Sequence, residues 1–273
     1  MNDRIVTGAL AGLIFASLVL AALSAPEHFS AIQPDLGYAT PAELPPFGAD
    51  NRGRPLLDYA TQGAQIVAVP AAVAGLLVFL FGVIGGLLRC AGSVRVDSWI
   101  QGMGEILGSL PRMVVILVVA LVVPLDSRGL MPLAIVWALL SAPGAMDEAA
   151  AVAERLGGAR FVEALRAHGY SAFRIYLYHI VALNLRPVVV RQAVETMMQV
   201  VFLEIALSYL ALAQDQPSFT HADSLHSWAD LLNMGYPALI LDIPTTHALV
   251  LGLSLVGMVA VMTLSVSRTA RAR

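Results

Sequence analysis

The chain contains few charged residues and no lysine. Charged residues make up 13% of its 273 positions, and all sixteen basic residues are arginines. The formal net charge is -3, so the chain lacks the basic field that nucleic acid binding requires. The single cysteine, Cys90, excludes an intramolecular disulfide and a metal cluster built from cysteines. The phosphate-binding pattern GxxxxGK(S/T) is also missing from the sequence, which excludes an ATP site of that type.

Apolar residues dominate the remaining composition. They make up 58% of the chain and give it a mean hydropathy of +0.76, far above that of a soluble domain. We therefore predict an all-α, polytopic membrane bundle with about six transmembrane helices, since a run of about 20 apolar residues crosses a bilayer. The predicted spans are Ile5–Leu23, Ala64–Leu88, Ser98–Leu125, Gly129–Met146, Val181–Ala213 and Ile243–Ser267.

The predicted organisation follows from these spans. Residues 1–25 form a first transmembrane helix, which we expect to be retained although Leu23-Ser24-Ala25 resembles a signal-peptidase site. The proline-rich residues 26–63 form an extracytoplasmic loop, with a Gly-capped turn and a surface Asp–Arg pair expected around Asp50. A transmembrane core follows at 64–267, with a cytoplasmic loop at 147–180, an extracytoplasmic loop at 214–242 and a cytoplasmic tail at 268–273.

The distribution of arginines predicts the orientation. With both termini in the cytoplasm, three arginines fall outside (Arg52, Arg54 and Arg128), and ten fall inside: Arg4, Arg89, Arg95, Arg155, Arg160, Arg166, Arg174, Arg268, Arg271 and Arg273. This asymmetry agrees with the positive-inside rule.

The loop 147–180 contains a polar segment with helical periodicity. Phe161, Val162 and Leu165 recur at helical spacing, and Gly169 stands where a C-terminal cap can take a positive φ. Ser171 can cap a second helix over Ala172–Ile180. We predict two short helices joined by a sharp turn at the membrane surface; the alternative is an amphipathic loop that rests on lipid headgroups.

Several separated motifs resemble one family. Glu163-Ala164, Gly169, Arg174-Ile175 and His179-Ile180 resemble the EAA loop of ATP-binding-cassette (ABC) importer permeases, in particular the C-type subunits of dipeptide, oligopeptide and nickel importers. The segment 46–54 resembles the signature PFGTDxxGRD of that family, with Pro55 in place of its final aspartate. The segments 105–111, 203–213 and 227–232 resemble the acid-rich start of the third span, LEAALSFLGLG and SWGxML, respectively.

This resemblance implies a fold, a role and partners. It implies a type I ABC importer-like permease fold that forms half of a translocation path in the bacterial inner membrane. The implied partners are a second homologous permease, two ABC ATPase subunits that carry ATP and Mg, an extracytoplasmic binding protein and membrane lipid, with no cofactor on this chain. The residues implied to couple to the ATPases are Glu163, Ala164, Arg166, Gly169, Arg174 and His179. The implied cargo is a peptide or another small solute, such as a nickel chelate or an opine.

Charged residues inside the predicted spans are candidates for the path or for helix packing. Glu105 and Arg112 are seven residues apart, which predicts that they lie near one helix face. Arg191 can pair with Glu195 at i,i+4. Glu204 has no charged neighbour at helical spacing, but Ser208 one turn on can hydrogen-bond it.

Three alternatives stay open at this stage. Glu195 and Glu204 could serve an ion-driven secondary transporter as proton sites, whereas departures from the family at Pro55, Ala182, Ala211 and Ala213 would fit a non-transporting scaffold. His221, Asp223 and His226 could bind a divalent metal, although ordinary loop residues are favoured.

Overall fold

The computed structural model describes residues 2–26, 30–90, 94–124, 129–157, 160–171, 174–213, 226–241 and 246–271. Most of these residues are helical, and they include no strand apart from one isolated bridge between Ala49 and Pro55. The prediction of an all-α chain is confirmed. The α-helices are α1 (Asn2–Leu23), α2 (Leu56–Gly63), α3 (Val69–Cys90), α4 (Val94–Ser109), α5 (Arg112–Val122), α6 (Leu130–Gly157), α7 (Arg160–Ala167), α8 (Arg186–Ala213), α9 (Trp228–Leu241) and α10 (Thr246–Arg271).

Five helical segments of the described chain are long and apolar enough to cross a membrane. They are Val6–Leu23, Leu56–Gly86, Leu130–Leu156, Arg186–Ala211 and Thr246–Arg268. The helices α4 and α5 add a sixth span if the bent pair crosses as one unit. The structure therefore confirms a polytopic membrane protein.

The second span begins earlier than predicted. The sequence pattern placed its start at Ala64, but α2 begins at Leu56 and continues into α3 through a π-helical segment, Ala64–Ala68. Leu56, Tyr59 and Ala60 are buried in the core, so polar neighbours in the sequence concealed an apolar helix face. The wide π turns stand directly before Pro70, where they accommodate the missing N–H and the bulk of the ring.

The third span is broken, which corrects the prediction for Glu105 and Arg112. The helices α4 and α5 meet at an angle of 77° on either side of Leu110 and Pro111. Pro111 disfavours helical geometry at the preceding residue, so the chain turns there. Glu105 and Arg112 consequently lie on two different helices, both exposed, and share no helix face.

The loop between the fourth and fifth spans is more helical than predicted. The helix α6 continues to Gly157, eleven residues past the predicted end at Met146. The predicted first short helix is present as α7, but the predicted second one is continuous with the fifth span. A π-helical segment, Ile175–Leu185, leads directly into α8 because no capping residue or proline interrupts it before Arg186.

The predicted extracytoplasmic loop 214–242 also contains a helix. Trp228, Ala229 and Leu231 of α9 are fully buried, and α9 packs against α10 and α8. The three aspartates flanking this helix and the one within it masked its apolar face in the sequence. The segment is thus in part a structural element of the bundle, not a loop.

Small residues allow the central helices to approach closely. The helix α3 packs against α6 and α8, and a Cβ on Gly82 would lie 2.8 Å from Cγ1 of Val189. A Cβ on Gly85 would lie 2.6 Å from Cα of Met146. Glycine and alanine at such positions are typical of membrane helix pairs, where close van der Waals packing stabilises the contact.

Gly63→Ala should destabilise the bundle, because the new Cβ would lie 2.2 Å from Cδ1 of the fully buried Trp228. Overpacking of this kind costs about 1–3 kcal/mol. The expected result is a lower thermal unfolding midpoint of the detergent-purified protein. Gly257→Ala is the matched control, since no atom lies within 4 Å of its Cβ position and alanine favours the helix. Equal midpoints for both variants would contradict the proposed packing.

Candidate functional site

The helix α7 ends in a complete Schellman cap. Gly169 has a φ of +81°, its N–H donates to the carbonyl of Arg166 at 2.9 Å, and the N–H of Tyr170 donates to Leu165 at 3.1 Å. A residue with a side chain is strained at this φ, so the glycine permits the sharp turn. The cap therefore fixes the C-terminal end of α7 and the direction in which the chain leaves it.

The surface of α7 is open on the side that carries the EAA-like residues. Glu163, Ala164 and Arg166 are exposed, whereas Val162 is buried and Leu165 is half-buried. One edge of the helix thus contacts the rest of the chain, and its polar edge is available to another molecule. The sequence predicted the helix and this polar edge.

Tyr170 connects the turn to the helix that follows. The guanidinium carbon of Arg174 lies 4.9 Å from the centre of the Tyr170 ring, within cation–π distance. The ring of His179 meets the same tyrosine edge-on, with centroids 6.1 Å apart. Ser171 accepts a hydrogen bond from the N–H of Arg174 at 3.3 Å, as predicted for a capping residue. The predicted residues Arg174 and His179 therefore lie side by side on one aromatic ring.

Asp50 lies in a buried turn and not in the predicted surface ion pair. Its Oδ1 accepts the N–H groups of Arg52 and Arg54, each at 2.8 Å, and its Oδ2 accepts the hydroxyl of Tyr59 at 2.7 Å. Only 3% of Asp50 is exposed. Backbone donors that converge on one carboxylate define the turn, so the role of Asp50 in this motif is to stabilise the geometry of the turn. Pro55, which stands in place of the final aspartate of the motif, is the residue that precedes α2.

Glu204 is buried completely between α8 and α9. Its Oε1 accepts the hydroxyl of Ser208 at 3.0 Å, as the sequence predicted, and it also accepts the hydroxyl of Ser227. Its exposed fraction is 0%. Glu204 therefore packs between helices within this chain, and its two predicted roles, in the path or in helix packing, stay predictions.

Ser227 also begins α9 through a capping box. Its hydroxyl accepts the N–H of Ala229 at 3.2 Å, and Asp230 accepts the N–H of Ser227 at 2.7 Å. This reciprocal pattern satisfies two backbone donors at the helix start. Ser227 thus connects the cap of α9 to the carboxyl group of Glu204.

Three of the four family-like segments outside the loop 147–180, namely 46–54, 203–213 and 227–232, meet at one end of the bundle. His226 stacks on the ring of Tyr59 with centroids 5.0 Å apart, and its Nε2 lies 3.2 Å from Nη1 of Arg54. The indole N–H of Trp228 donates to the carbonyl of Ala60 at 3.1 Å. The PFG-like turn, the Glu204 segment and the SWGxML-like segment thus form one polar network, although more than 150 residues separate its ends.

A second charged group joins α6 to α8. The predicted pair between Arg191 and Glu195 is present, with Nη1 and Oε1 3.4 Å apart. Arg191 also contacts Glu148 of α6 through Nη2, and Gln192 donates to the other oxygen of Glu148. Glu148 was not predicted, because nothing in a single sequence relates residues 43 positions apart.

The described residues include no group of three metal-ligating side chains close enough to hold an ion. His221 and Asp223, which the sequence suggested as metal ligands, lie outside the described residues. The third suggested ligand, His226, contacts Arg54, Tyr59 and Asp230, so it belongs to the polar network.

Three other members of the network were not predicted as site residues, although the sequence carries a signal for each. Ser227 and Asp230 form the spacing Ser-x-x-Asp, a capping pattern that marks a helix start. Tyr59 stands at helical spacing from the apolar Leu56, which marks it as a residue on a buried face. The prediction of an extracytoplasmic loop over 214–242 hid the first signal.

The bundle, the capped loop helix and the polar network are the features that the comparisons with known proteins can be set beside. Curated proteins with similar sequences include the dipeptide transport system permease protein DppC of Bacillus subtilis (strain 168), 28% identical over 207 residues, which covers 74% of this chain and 61% of that protein. The probable D,D-dipeptide transport system permease protein DdpC of Escherichia coli (strain K12) is 28% identical over 185 residues, or 64% of this chain and 59% of that protein.

A third relative is DppC of Lactococcus lactis subsp. cremoris (strain MG1363), 26% identical over 172 residues, or 63% of this chain and 49% of that protein. The alignments thus span less than two thirds of each curated relative. No protein-family model matches the chain. The resemblance to permeases of dipeptide ABC importers, first seen in the motifs, is confirmed by these similarities.

Ser227→Ala should lower stability more than Ser208→Ala. Both changes remove a hydroxyl donor from the buried Glu204, which costs about 1–3 kcal/mol, but only the first also removes the cap of α9, worth about 1 kcal/mol. The measurement is the thermal unfolding midpoint of each purified variant. Ser254→Ala is the control, because that exposed hydroxyl bonds only the carbonyl of Leu251 in its own helix. A loss for Ser208→Ala equal to or larger than that for Ser227→Ala would contradict the double role of Ser227.

Proposed function

We propose that the chain is a permease subunit of an ATP-driven importer and forms half of its translocation path. The observation that carries this proposal is α7, an exposed and rigidly capped helix between two long packed helices. A short helix with this shape can transfer motion from an attached motor to the bundle. The similarity to dipeptide permeases supports the same role.

The energy in this proposal comes from separate chains. Two ABC ATPase subunits bind ATP and Mg, and one of them receives α7 in a surface cleft. When nucleotide closes the ATPases, α7 moves, and α6 and the helix that starts at Arg174 move with it. Glu163, Ala164 and Arg166 contact the ATPase, whereas Gly169, Arg174 and His179 keep the geometry of the turn. Because these contacts are polar, salt should weaken the attachment.

We further propose a second, homologous permease as the partner in the membrane. One helix of this chain has a wide apolar surface with no neighbour among the described residues, formed by Met113, Val114, Val118, Leu121 and Val122 of α5. Lipid and the second permease together cover such a surface. The orientation expected from the arginines puts α7 and both termini in the cytoplasm of a bacterium, in its inner membrane.

The proposed cargo is a short peptide delivered by an extracytoplasmic binding protein. The relatives are named for dipeptide and D,D-dipeptide transport, which makes a dipeptide the first substrate to examine. The polar network that includes Asp50, His226 and Ser227 lies at the opposite end from α7 in this topology. It would hold the outer ends of α2, α8 and α9 in place where the binding protein docks.

Reconstitution tests this function. The chain, its copurified partners and the binding protein are placed in liposomes, and uptake of radiolabelled alanyl-alanine is measured with ATP or with a non-hydrolysable analogue inside. Uptake that requires hydrolysable ATP is the expected result. Uptake by the purified single chain under a pH gradient, with no ATP, would instead identify an ion-driven transporter and overturn the proposal.

Gly169→Val and Glu163→Ala should each abolish ATP-dependent uptake while the complex stays inserted in the membrane. Valine is strained at a φ of +81° and distorts the cap, and alanine removes a charged contact from the exposed edge of α7. Uptake and membrane-fraction abundance are measured together. Gly108→Ala and Glu43→Ala are the controls, because the first has no atom within 4 Å of its Cβ position and the second alters an exposed loop carboxylate. Full uptake by both loop variants would contradict the coupling role.

A further inference from the structure

Glu148 joins the two helices on either side of α7 through side-chain hydrogen bonds. Its two carboxylate oxygens are used by consecutive residues of the other helix: Oε1 by the guanidinium of Arg191 and Oε2 by the side-chain amide of Gln192. Glu148 belongs to α6, which runs into α7, and the two donors belong to α8, which continues the helix that leaves α7. The contact therefore joins the chain before the loop to the chain after it.

Apolar packing continues from this contact towards α7. Ala149, Leu185 and Val189 form one buried cluster, and Ala153 and Ile180 form the next, closer to the loop in both helices. On the α6 side, Val152 and Leu156 pack against these buried alanines. Apolar contacts are non-directional, so they define the position of one helix along the other less sharply than a hydrogen-bonded contact does.

The polar contact between Glu148 and α8 depends on direction, so it defines the position of α6 along α8 more sharply than the apolar contacts do. Hydrogen bonds to a charged group are short and depend on angle, and a carboxylate held by two donors has a defined position. If α6 slid along α8, the carboxylate would leave Arg191, Gln192 or both. Glu195, one turn further along α8, contacts Arg191 at 3.4 Å and holds the guanidinium from its own helix. Arg191 is therefore oriented towards Glu148 from within α8.

We propose that Glu148 is a positioning residue. With Arg191 and Gln192 it holds α6 and the helix after α7 in a fixed relative position, so that the two helices move as one rigid body. We call this contact of three residues the lock. A displacement of α7 then moves both helices together and is not lost in sliding between them. The lock itself is a property of this chain alone, whereas its role in coupling rests on the proposed function.

The first experiment tests the lock in the purified full-length chain in lipid nanodiscs, without partners. Spin labels are attached at the exposed positions Ala151 and Leu177 after Cys90→Ser, and the distance distribution is measured by pulsed electron paramagnetic resonance. The expected distribution is narrow with Glu148 in place and broad in Glu148→Ala and Arg191→Ala. Because the two residues act through each other, the double variant should be no broader than either single one.

The controls keep this result interpretable. Glu148→Gln retains the acceptor oxygen and loses the charge, so its distribution should fall between those of the unchanged chain and Glu148→Ala. Glu43→Ala removes an exposed loop carboxylate and should leave the distribution unchanged. Narrow distributions in both alanine variants, or additive broadening in the double variant, would overturn the lock.

The second experiment tests the consequence for coupling. In the reconstituted complex, alanyl-alanine uptake and ATP hydrolysis are measured in the same liposomes. The uptake per ATP should fall roughly 2- to 30-fold in Glu148→Ala, the range that residues along a coupling route produce. ATP hydrolysis itself should persist, which a merely misfolded chain would not allow. An unchanged ratio, despite a broadened distance distribution, would overturn the coupling role of the lock. A complex that takes up no alanyl-alanine even without mutation would count against the proposed function, and the spin-label experiment would still decide the lock.

Discussion

The constraint on which this structure depends is that polar groups within a membrane bundle must find partners inside the protein. Burying a carboxyl group in hydrocarbon costs free energy, so such a group is tolerated only where hydrogen-bond donors surround it. Glu204 meets this condition through Ser208 of its own helix and Ser227 of the next, so its burial fixes how α8 and α9 lie against each other. The same serine caps α9. One side chain thus satisfies a backbone group and a carboxyl group, and the helix start and the helix pair are defined together.

The outer turn obeys the same rule by a different route. Asp50 is surrounded by backbone N–H groups and by the hydroxyl of Tyr59, and that tyrosine stacks on His226 near the start of α9. A series of contacts therefore runs from the turn, through Tyr59 of α2, to the start of α9, where Ser227 hydrogen-bonds Glu204. The turn at 46–54, the Glu204 segment and the start of α9 meet here because none of them alone supplies the partners that its polar residues need. Their contacts give a physical reason for motifs that lie far apart in the sequence.

Much of the architecture follows from the sequence, and the exceptions have identifiable causes. The apolar runs predict the spans, and Gly169 predicts the turn after α7, because both are local signals. The break at Pro111 was not predicted, since a run of apolar residues reports hydropathy and not direction. The start of α2 at Leu56 was not predicted because polar neighbours in the sequence hid its apolar face. Arg191 with Glu195 follows from spacing along one helix. Glu148, in contrast, meets Arg191 only after two helices pack, and helical spacing carries no information about a neighbouring helix.

The bend between α4 and α5 has a consequence for hydration. At a sharp break the peptide groups on either side lose their helical partners, and acyl chains offer none in exchange. If this pair crosses the bilayer as one span, the backbone around Leu110 must therefore border water or another polypeptide. The bend then marks a place on the perimeter of the bundle from which lipid is excluded, whether by water or by another polypeptide.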